Sequence, residues 1–282
     1  MVIGVGDEMK NIIVVVSDDR QLYVSKYFSD RGYSCRLMKD KDDFSSADAV
    51  VLPIPSEDGG KIRSTGVSYS EFAEMLRENC AVFGFLTKNG ELEKELKGRN
   101  ICCFDVYESG ELALLNSRAT AQGVLGYILN DGKKLLCETR ILLSGYGRTG
   151  KAILETLRSN GAAVDVLARR EEYRAELRRK GVSCFSYLET PGGRYDYLIN
   201  TVAAKVVDEH ILKTLDDGGK ILEIASKPYG VDFQKAEEMG LEYEILPSLP
   251  SKAAPESAGI FMAKAVEKLI EKNVEEGKSW KN

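Results

Sequence analysis

The fold of the second half of the chain depends on Thr139-Arg140-Ile141-Leu142-Leu143-Ser144-Gly145-Tyr146-Gly147-Arg148-Thr149-Gly150. An apolar run typical of a buried strand leads into the pattern GxGxxG, and the residues that follow predict a helix with the apolar face Ala152, Ile153, Leu154 and Leu157. In this context the first glycine permits a tight turn. The second lets a backbone approach a pyrophosphate, and the third lets the helix pack closely on the strand. The pattern predicts a dinucleotide-binding turn; the alternative is a purely structural glycine turn.

Two arginines stand where the next predicted strand ends. That strand covers residues 163–168, and Arg169 and Arg170 follow it. A site for NAD usually carries an acidic residue here, about 20 residues beyond the glycines, to hold the adenine-ribose hydroxyls. A guanidinium instead offers charge and a planar set of donors to a 2′-phosphate. The sequence therefore favours NADP(H), although both arginines could also be solvated residues at the start of the next helix.

The expected contacts of the cofactor lie on the glycine turn and after the neighbouring strands. The carboxyl ends of parallel strands meet at one edge of a sheet, where ligands of α/β proteins bind. The predicted cofactor-binding residues are Gly145, Tyr146, Gly147, Arg148, Thr149, Gly150, Arg169, Arg170, Asn200, Thr201, Val202 and Ser226.

The alternation of short β-branched runs with helical periodicity extends over the whole chain. It predicts an α/β fold of two doubly wound parallel-sheet lobes, the second a Rossmann NADP(H)-binding domain. Residues 1–118 form the N-terminal, substrate-side domain and residues 119–250 the dinucleotide-binding domain. Residues 251–282 form a loop and an amphipathic helix whose domain membership the sequence leaves open. The segment 53–66 has no apolar period and is predicted as a long loop, either a ligand-binding loop or a flexible surface excursion.

Composition excludes several classes of protein. The chain has 282 residues and a net charge of −5, with charges of both signs interspersed, which argues against a general nucleic-acid binder. No apolar run approaches the length of a membrane-spanning helix, and residues 1–8 lack a secretory pattern, so we expect a cytoplasmic protein that binds neither nucleic acid nor membrane. The six cysteines contain no CxxC pair and are expected to be buried, reduced thiols without a metal. The single histidine, His210, is expected on a surface helix, so a histidine-based catalytic site is not easily built.

Several blocks of the chain resemble the A subunit of dipicolinate synthase, from spore-forming bacteria. The resemblance extends over almost the whole chain, and its most specific blocks are residues 225–233 and 249–259. The other blocks are residues 18–22, 51–53, 116–117, 145–150 and 199–201. The chain departs from the family pattern at Gln122, Ser251 and Lys227.

The resemblance implies an NADP-dependent oxidoreductase that completes dipicolinate formation during sporulation, from an intermediate shared with lysine biosynthesis. It also implies the flavin-dependent B subunit of dipicolinate synthase as partner, and we expect a homo-oligomer. A small ring with two carboxylates needs cationic donors, which gives Arg20, Lys227, Lys252 and Ser257 as substrate-binding candidates. Each of the three charged side chains could also be an ordinary surface charge.

The acid/base group stays open among Lys252, Lys227, Glu223, Asp18 and Asp19, with Lys252 and Lys227 preferred because a buried lysine with a lowered pKa could serve as base. Two other functions also fit the fold. One is a different NADP-dependent dehydrogenase of a small carboxylate, and the other is a non-catalytic NADP(H)-binding regulatory protein.

Overall fold

The computed structural model describes residues 11–40, 43–108, 110–132 and 134–275. The segment 1–8, on which the expected lack of a secretory pattern rests, lies outside these residues. The chain divides into two compact units: unit 1 comprises Met1–Leu115 and Ala254–Asn282, and unit 2 comprises Asn116–Ala253. The last helix therefore belongs to unit 1. No helix in the described ranges is both long and apolar enough to cross a membrane.

The elements follow one another in strand–helix alternation. The first part of the chain contains β1 (Asn11–Val15), α1 (Arg20–Ser29), β2 (Ser34–Met38), β3 (Ala49–Val51), β4 (Glu57–Asp58), β5 (Lys61–Ile62), α2 (Tyr69–Met75), β6 (Ala81–Gly84), α3 (Glu91–Gly98), β7 (Cys102–Asp105) and α4 (Glu111–Asp131). The remainder contains β8 (Arg140–Ser144), α5 (Arg148–Ser159), β9 (Ala163–Leu167), α6 (Glu171–Arg179), β10 (Cys184–Phe185), β11 (Tyr195–Asn200), α7 (Glu209–Leu212), β12 (Leu215–Glu223), α8 (Phe233–Glu238), β13 (Glu242–Ile245), α9 (Leu249–Ala253) and α10 (Pro255–Glu275).

Unit 1 is built on a parallel sheet with the strand order β2-β1-β3-β6-β7. This is the flavodoxin-like order, in which the chain reverses direction across the sheet between the first and third strands and leaves a crevice there. The central strands are continuously apolar because both faces of the sheet are covered: β3 and β6 are buried at every residue. The predicted loop at residues 53–66 is instead partly structured, since β4 and β5 form an antiparallel hairpin. Strands of two residues carry no periodicity that the sequence could have revealed.

Helix α10 completes the core of unit 1. Its side chains Met262, Ala263, Val266 and Ile270 are buried in one apolar cluster with Val24 and Phe28 of α1. Gly259 lets the two helices approach, because a Cβ there would lie 2.4 Å from the carbonyl oxygen of Arg20. The helix that the sequence left unassigned therefore supplies one wall of the unit 1 core.

Unit 2 is built on a six-stranded parallel sheet with the order β10-β9-β8-β11-β12-β13. This is the Rossmann order, and it confirms the predicted α/β fold with two parallel sheets. Helix α5 buries Ile153, Leu154 and Leu157 of the predicted apolar face, while Ala152 is half-buried against the same core. All six cysteines are free, but only Cys80 is fully buried and Cys137 is exposed, so the expectation that all six are buried is wrong.

Candidate functional site

The glycine turn lies at the point where the strand order of unit 2 reverses. Strand β8 is paired with β9 on one side and β11 on the other, and the turn follows β8 directly. The connections after β9, β11 and β12 open at the same edge of the sheet. Ligands of doubly wound sheets bind in the crevice that such a reversal creates.

Two of the three glycines in the turn cannot be replaced without moving neighbouring atoms. Gly145 has φ +104°, a backbone conformation that side chains rarely adopt, and a Cβ there would lie 2.4 Å from Thr201 Oγ1. A Cβ at Gly150 would lie 2.2 Å from the carbonyl oxygen of Gly145. The turn and the first turn of α5 are therefore in direct backbone contact, as the pattern predicted.

Gly147 differs from the other two glycines because it faces open space. A Cβ at this position would meet nothing within 4 Å. Gly147 is also the N-cap of α5, which has no side-chain hydrogen bond at its N-terminus. The first N–H groups of a helix carry partial positive charge and bind anions. The turn thus combines an open backbone surface with an uncapped helix N-terminus, which is the arrangement that a pyrophosphate requires.

The side chain of Tyr146 points away from this surface. It is 4% exposed and lies in the apolar core of unit 2. Its hydroxyl donates to Glu176 Oε1 over 3.0 Å and lies 3.3 Å from Lys180 Nζ. Tyr146 can therefore contribute only its backbone to a nucleotide site, whereas Arg148 is exposed and Thr149 half-buried beside the open surface.

Arg169 and Arg170 follow β9, and both are exposed. Neither forms an ion pair with a carboxylate in the part of the chain that the structure describes. The guanidinium of Arg170 lies 5.4 Å from the ring centroid of Tyr173. Arg174, which no sequence pattern indicated, donates to the carbonyl oxygens of Ala168 and Arg169 over 2.6 and 2.8 Å and so fixes the backbone of this connection.

A chain of hydrogen-bonded polar groups, in which Ser144 and Asn200 are fully buried, runs beneath the turn. Ser144 Oγ donates to Asn200 Oδ1 over 2.9 Å and lies 3.0 Å from the hydroxyl of Tyr187. Thr201 Oγ1 donates to the carbonyl oxygen of Ser144 over 2.9 Å. Burial raises the pKa of Tyr187, against the opposing effects of the Ser144 hydrogen bond and the nearby charge of Arg169. No sequence pattern indicated Tyr187.

The residues after β11 and β12 approach each other at this edge. Val202 N–H donates to Asn200 Oδ1 over 3.2 Å, and Asn200 Nδ2 donates to Glu223 at the end of β12 over 2.8 and 3.0 Å. Glu223 is fully buried and its carboxylate accepts several N–H donors, so its oxygens are not free to abstract a proton from a ligand. Ser226 and Lys227, on the connection after β12, are exposed.

The preferred acid/base candidates Lys227 and Lys252 are both exposed, so neither is the buried lysine that was expected. Lys252 lies on the short helix α9 of unit 2 rather than in a loop. Ser257 is exposed in the first turn of α10, in unit 1. His210 is half-buried on α7 and its Nδ1 is paired with Asp208.

Arg20 is neither a loop residue nor a surface charge. It is the first residue of α1 and its side chain is 4% exposed. Its guanidinium donates to both carboxylate oxygens of Asp18, over 2.8 and 2.7 Å, and to the carbonyl oxygen of Ile54 over 2.7 Å. Burial by itself would raise the pKa of Asp18, but the hydrogen bonds and charge of Arg20 outweigh it and the pKa is lowered. The pair therefore joins the connections after β1 and β3, at the crevice of the unit 1 sheet.

No group of three or more side chains in the described residues is arranged to hold a metal ion. The chemistry that this edge of the sheet supports is recognition of a phosphate-bearing ligand by backbone N–H groups and arginines.

The chain was compared with known proteins by sequence and by structure. No family model matches the chain. The curated A subunit of dipicolinate synthase from Bacillus subtilis (strain 168) is 28% identical over 248 residues, which cover 85% of this chain and 83% of that protein. The crystal structure of the A subunit of dipicolinate synthase from Bacillus halodurans matches with a TM-score of 0.80 and 26% identity. The match covers 93% of this chain and 97% of the Bacillus halodurans chain. The transhydrogenase of Sinorhizobium meliloti, at 15% identity, has a TM-score of 0.65 over 95% of this chain and 96% of its own.

These matches confirm the resemblance to the A subunit of dipicolinate synthase that the sequence blocks indicated. They extend over both units, so the resemblance is not limited to the glycine turn. The likeness to the transhydrogenase concerns the fold alone.

Proposed function

We propose that this chain binds NADP(H) at the glycine turn of unit 2 and uses it to oxidise a dihydrodipicolinate-type precursor to dipicolinate. The observation that carries the proposal is the Rossmann strand order, in which the glycine turn follows β8 and the arginines Arg169 and Arg170 follow β9. Neither arginine pairs with a carboxylate among the described residues. The names of the two Bacillus relatives, both A subunits of dipicolinate synthase, supply the substrate class.

The residues present fit a dinucleotide. The open face of Gly147 and the N-terminus of α5 would hold the pyrophosphate, while Arg169 and Arg170 would hold the 2′-phosphate. Thr201, Val202 and Ser226 lie after β11 and β12, where the other half of the dinucleotide would extend. Asn200 ends β11, and its amide group is engaged by Ser144 and Glu223, so it would act on the cofactor through these neighbours. NADP⁺, when bound, supplies a hydride acceptor.

The substrate would be a small ring with two carboxylates. Lys227 and Lys252 offer exposed ammonium groups with no ion-pair partner among the described residues, and Ser257 offers an exposed hydroxyl. We assign binding of the carboxylates to the two lysines, which both belong to unit 2. Arg20, whose donors are largely taken by Asp18 and Ile54, would act chiefly by fixing the crevice of unit 1 and would meet a ligand only through its remaining nitrogen.

The proposal extends to the setting in which the chain works. The flavin-dependent B subunit of dipicolinate synthase would be its partner, and a homo-oligomer in the cytoplasm of a sporulating bacterium its working form. Association of the purified chain with that flavoprotein is measurable by co-elution.

The direct test is turnover. The purified chain, alone and with the flavoprotein partner, is mixed with NADP⁺ and freshly generated dihydrodipicolinate, and NADPH and dipicolinate are measured together. Equal amounts of both products support the proposal. NADP(H) binding without turnover in either preparation indicates a regulatory protein, and turnover with 2-hydroxy carboxylates alone indicates a different dehydrogenase.

Lys227 provides a sharper form of the test. Lys227→Met should raise the KM for the dicarboxylate about tenfold or more, since a charge-assisted contact is lost, and leave NADP(H) affinity unchanged. Lys213→Met is the matched control, because Lys213 lies at the C-terminus of α7, before β12, and forms an ion pair with Glu209 over 2.8 Å. An unchanged KM in the Lys227 variant would remove this residue from the substrate site.

A further inference from the structure

The carboxylate of Glu223 is buried without a cation. Glu223 is the last residue of β12 and is 0% exposed. Within the described ranges it takes part in no ion pair. Removing a carboxylate from water is costly unless hydrogen bonds or an opposite charge replace its hydration. The side chain must therefore be held by hydrogen-bond donors.

Those donors come from the connection that follows β12. Ala225 N–H donates to Oε1 over 2.9 Å, while Gly230 and Val231 N–H donate to Oε2 over 3.0 and 3.3 Å. The donors stand at the start and at the end of the segment 224–231, which we call the clamp loop. One carboxylate thus closes the loop at both ends.

The same carboxylate is tied to the neighbouring strand. Asn200 Nδ2 donates to both oxygens of Glu223, and also to the carbonyl oxygen of Val202 over 3.0 Å. Its Oδ1 accepts from Ser144 at the end of β8. Gly230 fits against this group only without a side chain, since a Cβ there would lie 2.4 Å from Asn200 Nδ2 and 2.3 Å from the carbonyl oxygen of Val202. The clamp loop is therefore fixed to the ends of three adjacent strands.

The location of the clamp loop follows from the sheet. A Rossmann sheet consists of two mononucleotide-binding halves that meet where the order reverses. Strands β8, β9 and β10 form the half that carries the glycine turn and the two arginines, while β11, β12 and β13 form the other. The clamp loop belongs to the second half, which faces the nicotinamide mononucleotide of a bound dinucleotide.

We infer that Glu223 and Asn200 are positioning residues that hold the backbone of the clamp loop, with Ser226, against the nicotinamide half of the cofactor. This inference rests on the proposed function. Neither side chain reaches the ligand; each acts through the backbone of the loop. The adenosine half of the site, with the glycine turn and the two arginines, does not depend on them.

The substitution Glu223→Gln tests the assignment with almost no change in volume. Both carboxylate oxygens accept a backbone N–H, so whichever of them becomes an NH₂ group faces a donor and releases one end of the loop. We expect the variant to bind NADP(H) about tenfold or more weakly than the unsubstituted chain and to bind adenosine 2′,5′-bisphosphate, which lacks the nicotinamide half, within about twofold. Glu242→Gln, in the neighbouring strand and 76% exposed, should change neither affinity.

Hydrogen exchange provides a readout that needs no nucleotide. Amide protons of the clamp loop should exchange faster in Glu223→Gln, while those of α5 keep their protection. The inference is overturned if Glu223→Gln loses the same factor of affinity for both ligands. It is also overturned if the exchange rates of the loop and both affinities stay unaltered. If the unsubstituted chain binds neither ligand, the proposed function fails, and the exchange result still decides whether Glu223 holds the loop.

A second variant covers the case in which the first does not fold. Glu223→Asp keeps the charge and both acceptors but withdraws them by one methylene group. It should also bind NADP(H) more weakly while keeping its affinity for adenosine 2′,5′-bisphosphate, with a smaller effect than Glu223→Gln. An equal loss of affinity for both ligands would count against the positioning role.

Discussion

Gly147→Val separates the nucleotide site from the stability of the fold. Gly147 has φ −79° and ψ −165°, an extended conformation that valine adopts readily, and a Cβ there meets nothing within 4 Å. The expected cost to the free protein is about 0.5–1 kcal/mol, for a less favourable residue at a helix N-cap. The side chain would nevertheless occupy the surface over which the pyrophosphate lies.

The stabilisation by bound nucleotide that the variant should lose is much larger than this cost. A ligand at a concentration 100 times its Kd stabilises a folded protein by about 2.7 kcal/mol, and this gain should be absent in the variant. Gly150→Ala is the informative comparison, because its Cβ would lie 2.2 Å from a backbone oxygen. That variant should lose about 1–3 kcal/mol of stability even without ligand.

The assay is urea unfolding of each variant with and without NADPH, followed by a fluorescence titration of binding. Without nucleotide, we expect the urea midpoint of Gly147→Val to lie close to that of the unsubstituted chain. Addition of NADPH should not raise the midpoint of the variant. If NADPH stabilised Gly147→Val as much as it stabilises the unsubstituted chain, the assignment of the pyrophosphate to this turn would be refuted.

Two further predictions concern charged groups of the two units. Replacing Arg169 and Arg170 together by alanine should remove most of an expected tenfold preference for NADPH over NADH, about 1.4 kcal/mol, as measured by parallel titrations; equal affinities in the unsubstituted chain would contradict the proposed role of these arginines. Asp18→Asn should destabilise unit 1 by about 2–4 kcal/mol at neutral pH, because it leaves the buried guanidinium of Arg20 without its carboxylate. The folded pKa of Asp18 is lowered, so its contribution is complete above the unfolded pKa and is lost as the pH falls through the folded value. Urea midpoints should therefore decrease more steeply in acid for the unsubstituted chain than for the variant, in which only the other carboxylates titrate, and parallel acid profiles would disprove this account.

Features that depend on short-range constraints were predictable from the amino-acid sequence alone. The glycine turn was readable because tight turns and close backbone contacts admit few residues, and Gly145 and Gly150 occupy such positions. The main strands and helices were predictable from apolar periodicity, because a buried face repeats with the period of its element.

The strand order and the partners of individual side chains became known only with the folded chain. Periodicity shows that a helix has an apolar face but not which element covers it, so α10 could not be assigned to unit 1 before its contacts with α1 were known. The same limit applies to charges. Arginine and glutamate are common in ligand-binding sites, yet the hydrogen-bonding groups of Arg20 are largely engaged by Asp18 and Ile54. The carboxylate oxygens of Glu223 likewise accept hydrogen bonds from Asn200 and the clamp loop. Whether a polar side chain faces a ligand or supports the backbone depends on donors and acceptors that are distant in the sequence, and these are brought together only when the strands pair.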